Sequence, residues 1–291
     1  MKPLMLVTGA GGLIGSYLVR SAPRWAPRWR VQGVTRQDAD LTNHEQVNAL
    51  WKRLAPQAVI HCAALSRAGP CEQNPARARA INVEATRHLA ELAHDRPFVF
   101  LSSDQVFDGV TGCYVETDEV RPLNVYGRTK AEAEQVVLRN ASHTAIRVAL
   151  TAGRSDTGDR SFIEDMRTAC REGQSITLFT DEYRCPLPAG AVARAIWELV
   201  DRGRPGLYHL GGTERLSRRE IGEVLLHWYP ELSSCLKAGS LRAYTGPPRP
   251  ADLSMSSAKI QTLLSFPLPG LRAWVTSRRH PVADPWDYGV S

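Results

Sequence analysis

A doubly wound α/β fold, with a parallel sheet and a smaller C-terminal lobe, follows from three observations on this sequence. Short apolar runs alternate with helix-period patterns through the first 150 residues, and strands alternating with helices build parallel β-α-β units. The first run ends in "VTGAGGLIG", with glycines at 9, 12 and 15 where a strand would hand over to a helix. Beyond residue 150 the alternation loosens into helices and proline-rich stretches, the mark of an added lobe.

The elements follow in order. "LMLVTG" (4–9) is the first strand candidate and "GLIGSYLVRS" the helix after it. "APRWAPRWR" (22–30) is a tandem four-residue repeat, expected as a loop whose tryptophans pack down. "RVQGVT" (30–35), "AVIHCAA" (58–64), "FVFLSS" (98–103) and "TAIRVA" (144–149) are the next strands. Between them lie "NHEQVNALWKRLA", "ARARAINVEATRHLAELAHD" and "YGRTKAEAEQVVLR", each with apolar residues at helical spacing. Later, "SFIEDMRTACREG" and "PAGAVARAIWELVDRG" read as helices, "GLYHLGG" as a short strand, and "SRREIGEVLLHWY" as a helix with Ser217 and Glu220 in capping-box positions. The expected organisation is a dinucleotide-binding domain over 1–150, completed by about 186–212, with 151–185 and 213–291 forming a substrate-binding lobe.

Composition narrows the function. The chain has 291 residues, 43% hydrophobic and 23% charged, which suits an ordinary globular protein with a sizeable core. The net charge of +6 suits an anionic ligand. The basic residues are dispersed, with no Lys/Arg-rich tract, so nucleic-acid binding is not expected. No stretch approaches the roughly 20 apolar residues of a membrane span, and no secretion signal is visible. The six cysteines, at 62, 71, 113, 170, 185 and 235, are scattered without a CxxC pair. That predicts reduced thiols in a cytoplasmic protein and no metal site.

The glycine turn carries the first chemistry. A dinucleotide site needs a tight turn, a close backbone approach to the pyrophosphate and close helix–strand packing. Gly9, Gly12 and Gly15 fall at the first strand–helix junction, where those demands meet, and a helix N-terminus then faces the phosphates. The fold is therefore expected to be Rossmann-like. At the end of the second strand an acidic residue favours NAD, and an arginine accommodates the 2′-phosphate of NADP. Here "GVTRQDADL" offers Arg36 first, with Asp38 and Asp40 later, which favours NADP(H) over NAD(H).

"YGRTK" (126–130) carries the second. Four residues put Tyr126 and Lys130 on one helix face. A free phenol, with a pKa of about 10, is too weak an acid for efficient work near neutrality, and an adjacent ammonium is expected to lower it. Spacing alone fits a surface helix equally well.

With the glycine turn upstream, the sequence resembles the extended short-chain dehydrogenases/reductases, and among them the dTDP-4-dehydrorhamnose reductase family. The resemblance rests on "SSDQVFDGVTGCYVETDEVRPLNVYGRTK" (102–130), "DLTN" (40–43), "INVEATRHLA" (81–90), "GLYHLGG" and "RPADLSMSSAKI" (249–260), and covers nearly the whole chain. It implies a catalytic set of Ser103, Tyr126 and Lys130, with Tyr126 as proton donor and Lys130 also holding the nicotinamide ribose. It implies cofactor contacts at Gly9, Gly12, Leu13, Ile14, Gly15, Arg36, Asp40, Leu41 and the "CAA" loop of Cys62, Ala63 and Ala64, besides Tyr126 and Lys130. Substrate contacts are implied at Ser103, Asp104, Gln105 and Arg249, the last either on a diphosphate or anchoring the C-terminal segment. Asn82 is expected as a structural hydrogen-bonder, Cys62 as a buried filler and His61 as a core histidine.

Two departures fall in the sugar pocket. Gln105 stands where the family has tyrosine, and Leu150, in "RVALTAG", where it has tryptophan. The implied function is reduction of a ketone with NADPH, the substrate being a nucleotide-linked 4-keto sugar. A nucleotide-sugar epimerase with bound NAD and a non-catalytic NADP-binding regulatory subunit are the alternatives. Dehydration fits less well, because "SSDQ" lacks the acidic pair of the dehydratases. A homodimer is left open.

Overall fold

The structure is a computed structural model that describes residues 1–246 and 248–277; Pro247 and the 278–291 end of the expected lobe lie outside the described residues. Its centre is one parallel sheet. β1 (Leu4–Thr8), β2 (Arg30–Val34), β3 (Ala58–His61), β4 (Phe98–Ser103), β5 (Thr144–Val148) and a sixth strand, Gly206–Leu210, stand in the order sixth–β5–β4–β3–β1–β2. Every residue of β1, β3, β4 and β5 is buried. That is why these strands read as continuous apolar runs; strands covered on both faces have no solvent side to alternate toward. The order reverses between β1 and β3, and in such sheets ligands bind in the crevice beyond the strand ends at that point.

Helices cover both faces. α1 (Leu13–Trp25) and a later helix, Ala189–Arg202, pack together on one. There Trp197, fully buried, donates its indole N–H to the Leu18 carbonyl and the Ser21 hydroxyl, each at 3.2 Å. α2 (His44–Leu54) lies on the other face, its start capped by the Asn43 side chain. The pattern at 76–95 is not one regular helix. After the short α3 (Ala68–Gln73) come α4 (Pro75–Arg79), a π-helical turn at Ala80–Glu84, and α5 (Ala85–Leu92). α6 (Val125–Val137) packs beside α5 and against β4. The loop expected over 22–30 is only half a loop: α1 runs through Pro23 to Trp25. A proline this near the helix end forfeits a single hydrogen bond. Trp25 and Trp29 do pack against the core.

Much of the remaining described chain forms a smaller body with its own hydrophobic cluster, including Ile163, Met166, Leu178, Val224, Leu225 and Leu232, whereas Ile260, Phe266 and Leu268 return to the core beside the sheet. α7 (Phe162–Arg171) and the helix Arg218–Leu225 both begin with capping boxes, Ser161 with Glu164 and Ser217 with Glu220. Strands Ile176–Phe179 and Leu236–Gly239 pair in parallel. One expectation is corrected here. Cys170 and Cys235 are joined as a disulfide, their Cα atoms 5.6 Å apart, because the end of α7 packs on the turn that leads into Leu236–Gly239. The other four cysteines are free. No helix among the described residues is long and apolar enough to cross a membrane.

A buried ion pair ties α6 to the sheet. Arg147 of β5 forks onto Glu134 of α6, with nitrogen–oxygen distances of 2.8–3.1 Å, and both side chains are about 5% exposed or less. His209 of the sixth strand lies 3.3 Å from Arg147 Nη1; burial holds its imidazole at a pKa of about 4, so it is neutral and accepts. Removing one member strands a buried charge, while replacing both restores an apolar interior. Arg147→Met is therefore expected to cost about 3–5 kcal/mol in urea unfolding, and Glu134→Leu with Arg147→Met to recover most of that loss.

Candidate active site

The glycine turn forms a cradle of bare backbone. Gly9 has φ +69°, and a Cβ there would lie 2.6 Å from the Ala63 nitrogen. A Cβ on Gly15 would collide with the Gly9 carbonyl oxygen. Gly12 caps α1 and donates its N–H to the Gly9 carbonyl at 2.9 Å. The end of β1, the start of α1 and the chain after β3 thus touch without side chains between them. A pyrophosphate can approach the N–H groups at the helix start, so these residues fit a dinucleotide.

The cradle opens into a cleft of about 920 Å³. Every residue expected to contact the cofactor lines it: Gly9, Gly12, Leu13, Ile14, Gly15, Arg36, Asp40, Leu41, Cys62, Ala63, Ala64, Tyr126 and Lys130. Ser103, Asp104 and Gln105 line it too; Arg249 does not.

The start of α6 brings the tyrosine to the serine. Gly127 packs so closely on the turn after β4 that a Cβ would collide with the Gln105 carbonyl oxygen. Asn124 caps the helix through the Gly127 N–H at 2.8 Å, and Glu72 accepts from the Val125 N–H at 2.6 Å. The Gln105 amide oxygen accepts from Asn124 Nδ2 at 2.8 Å. In this chain, then, Gln105 braces the cap of α6 while lining the cleft. Leu150 also lines the cleft and packs onto the smaller body's cluster.

Burial governs the chemistry of these groups. The Tyr126 phenol is pushed above its ordinary pKa by burial, against the pull of the Ser103 hydroxyl. Lys130 is held down to about 7, again by burial, with Glu134 acting to raise it. Its ammonium stands 4.0 Å from the centre of the Phe100 ring. The expected lowering of the phenol by Lys130 is not found: both groups are desolvated, and a lysine near 7 is only partly charged at neutrality. The Ser103 hydroxyl donates to Asp104 Oδ1 at 3.0 Å and accepts from the Gln105 N–H at 3.2 Å. Asp104 is raised by burial, with Arg184 pulling it down. Its Oδ2 and the neighbouring Ser102 hydroxyl are buried without a hydrogen-bond partner, and both residues line the cleft.

Three neighbours have plain structural roles. Asn82 bonds the Leu65 backbone and the Thr129 hydroxyl, locking α6 to the chain after β3. His61, fully buried between the Thr8 and Thr86 hydroxyls, is held by burial at about 3. Cys62 is only partly buried, and its thiol is pushed up to about 12 by desolvation.

The sequence reading missed Arg77, Arg160, Phe162 and Arg184 on the cleft wall. Arg184 pairs with Glu182 at 2.9 Å and stands 3.9 Å from Asp104. Phe162 is shared with a second cavity of about 650 Å³, also lined by Phe179, Tyr244, Arg218 and Arg249. Arg249 lies there, forked onto Glu182 at 2.8 and 2.9 Å.

Comparison with known proteins gives the same placement. The family model described as the RmlD substrate binding domain matches residues 1–280. A probable low-salt glycan biosynthesis reductase of Haloferax volcanii is 34% identical over 240 residues, 75% of this chain and 78% of that protein. A dTDP-4-keto-6-deoxy-D-glucose reductase of Streptomyces niveus is 34% identical over 214 residues, 72% of this chain and 73% of its own length. The methionine adenosyltransferase 2 subunit beta of Xenopus laevis is 28% identical over 274 residues, 89% of this chain and 81% of that one. In fold, the chain matches the crystal structure of a dTDP-4-dehydrorhamnose reductase from Bacillus anthracis in complex with NADP. The TM-score is 0.85 at 22% identity, covering 95% of this chain and 98% of that one.

Lys130 makes stability depend on pH. Its folded pKa lies below the ordinary value of 10.5, so from about 7 upward the folded state holds fewer protons than the unfolded state. Stability from this group therefore rises with pH over that window, and the burial cost is borne in full below it. Lys130→Met is expected to melt higher than the parent at pH 6, with the gap closing toward pH 10; thermal unfolding across that range measures it.

Proposed function

The chain belongs to the RmlD substrate binding domain family, among the extended short-chain dehydrogenases/reductases, and on that premise we propose that it reduces the ketone of a nucleotide-linked 4-keto sugar. The observation that carries the reading is one cleft holding both the glycine cradle and the Ser103, Tyr126 and Lys130 side chains. A nicotinamide cofactor bound along that cleft would supply the hydride.

The residues then divide the work. The backbone of Gly9, Gly12 and Gly15 receives the pyrophosphate. Ser103, whose hydroxyl can turn from Asp104, hydrogen-bonds the ketone oxygen and polarises it. Tyr126 gives its proton to the oxygen as hydride arrives at carbon. The phenol is protonated at neutral pH, the state a reductive step consumes. Burial, which raises its pKa, makes it a weaker acid, which a charge on Lys130 would have to offset. Lys130 contacts the nicotinamide ribose and, when charged, offsets the phenolate that remains. Asp104 Oδ2, which has no hydrogen-bond partner, and the Ser102 hydroxyl suit a sugar's hydroxyl groups.

The nucleotide end is assigned to the second cavity, in a substrate-binding lobe that includes α7 and the helix Arg218–Leu225. Phe162 is common to both cavities, and Arg218 and Arg249 line the farther one among aromatic rings. Arg249, anchored by Glu182 and lying beside the Phe179 and Tyr244 rings, is the proposed contact for a diphosphate. NADP(H) is the proposed cofactor, since the chain after β2 reaches Arg36 before any carboxylate. The similarity to the methionine adenosyltransferase subunit supports a second reading, a nucleotide-binding subunit without turnover.

Tyr126→Phe keeps the ring and removes the proton. Reduction is expected to fall about 10²–10⁴-fold with cofactor affinity retained; unaltered turnover would refute the mechanism. Arg249→Ala is expected to raise KM for a nucleotide-linked substrate and leave cofactor binding unchanged. An effect on unfolding alone would reduce Arg249 to an anchor.

A further inference from the structure

Two arginines stand on the cleft wall beside the chain that leaves β2. Arg36 comes two residues after the strand, and Arg77 belongs to α4, from a different part of the chain. Both act on the same carboxyl group: Asp40 is held low first by its hydrogen bonds from Thr42, then by Arg36 and Arg77. Among the described residues neither guanidinium has a hydrogen bond or an ion pair. Their neighbours are engaged. Arg79 pairs with Glu84 and Glu132, and Arg160 with Asp159 at 3.1 Å.

The acids of this corner are turned into their own loop. Asp38 Oδ2 accepts from the Thr35 N–H and hydroxyl at 2.8 and 2.9 Å. Asp40 Oδ1 accepts from the Thr42 N–H and hydroxyl at 3.0 and 2.8 Å. These bonds also stiffen the segment that carries Arg36. Arg77 is fixed from its own side, since Pro75 opens α4 and the Asn74 side chain caps the Arg77 N–H at 2.9 Å. Two exposed guanidiniums, without a hydrogen bond or an ion pair, stand on the cleft wall near the one Asp40 carboxyl. A phosphate dianion offers three oxygens and can accept a fork from each.

We propose that Arg77 is a second phosphate-binding residue, closing with Arg36 on the 2′-phosphate of NADP(H) and setting the preference over NAD(H). This rests on the reading that the chain takes a nicotinamide dinucleotide and favours the phosphorylated form. A ribose 2′-hydroxyl offers neither arginine a charge to meet, so the effect of Arg77 is confined to the 2′-phosphate.

Binding of NADPH, NADH and 2′,5′-ADP to the full chain, by calorimetry at fixed salt, tests it. The parent binds NADPH more tightly than NADH. Arg77→Met weakens NADPH and 2′,5′-ADP about tenfold, the lower end for a charge-assisted hydrogen bond at an exposed site. NADH is left within about twofold, as expected of a group that meets only the 2′-phosphate. Arg77→Lys restores part of the loss, and adding Arg36→Met abolishes the remaining preference. A parent that prefers NADPH while Arg77→Met changes neither cofactor, or both equally, overturns the role of Arg77 and leaves the cofactor reading intact. A parent with equal affinity for NADPH and NADH overturns both.

Discussion

The site depends on one close approach. The first turn of α6 rests directly on the turn after β4, where Gly127 leaves no room for a side chain against the Gln105 carbonyl. That contact sets Tyr126 beside Ser103, and the helical period then sets Lys130 one turn deeper. The surrounding bonds hold α6 at this height. Glu72 and Asn124 satisfy its first N–H groups, Asn82 holds Thr129, and Arg147 holds Glu134 toward the far end. Their partners come from α3, the π-helical turn and β5, so three separate parts of the chain fix the helix that carries Tyr126 and Lys130.

Burial at this point is costly and useful together. Tyr126, Lys130 and Asp104 are all less than 9% exposed, and each is shifted toward its neutral form. A neutral phenol is a proton donor in waiting. A lysine near pKa 7 responds strongly to any charge placed beside it, because so little free energy separates its two forms at neutrality. The Glu134–Arg147 pair nearby is nearly self-neutralising, which keeps Glu134 from pinning Lys130 in the charged form.

Much of this was legible in the sequence. The strands of a sheet covered on both faces must be apolar throughout, so 98–103 was found to the residue and β3 and β5 to within a few. The glycines at 9 and 15 were legible because backbone contacts leave no alternative residue. Arg77, Arg184 and Phe162 were not. They sit on a five-residue helix, a two-residue strand and a helix start, where no period marks a face. The pairing of Cys170 with Cys235 spans 65 residues and follows from how the lobe packs, which spacing does not encode. The rise in the Tyr126 pKa was missed for a related reason. Sequence reports that a lysine lies one turn away, but not that both groups are out of water.

The cleft and the second cavity share Phe162 in their walls, and the proposed reading puts the cofactor in the first and the nucleotide in the second. The claim that a hydride crosses there is open to direct measurement. The chain would be incubated with NADPH carrying deuterium at the transferable position and a nucleotide-linked 4-keto sugar, and the product read by mass spectrometry and NMR. The account predicts one deuterium at C4 of the sugar for each NADPH oxidised. An unlabelled product, or conversion without net oxidation of NADPH, would contradict it and point to an epimerase-type cycle on a bound cofactor.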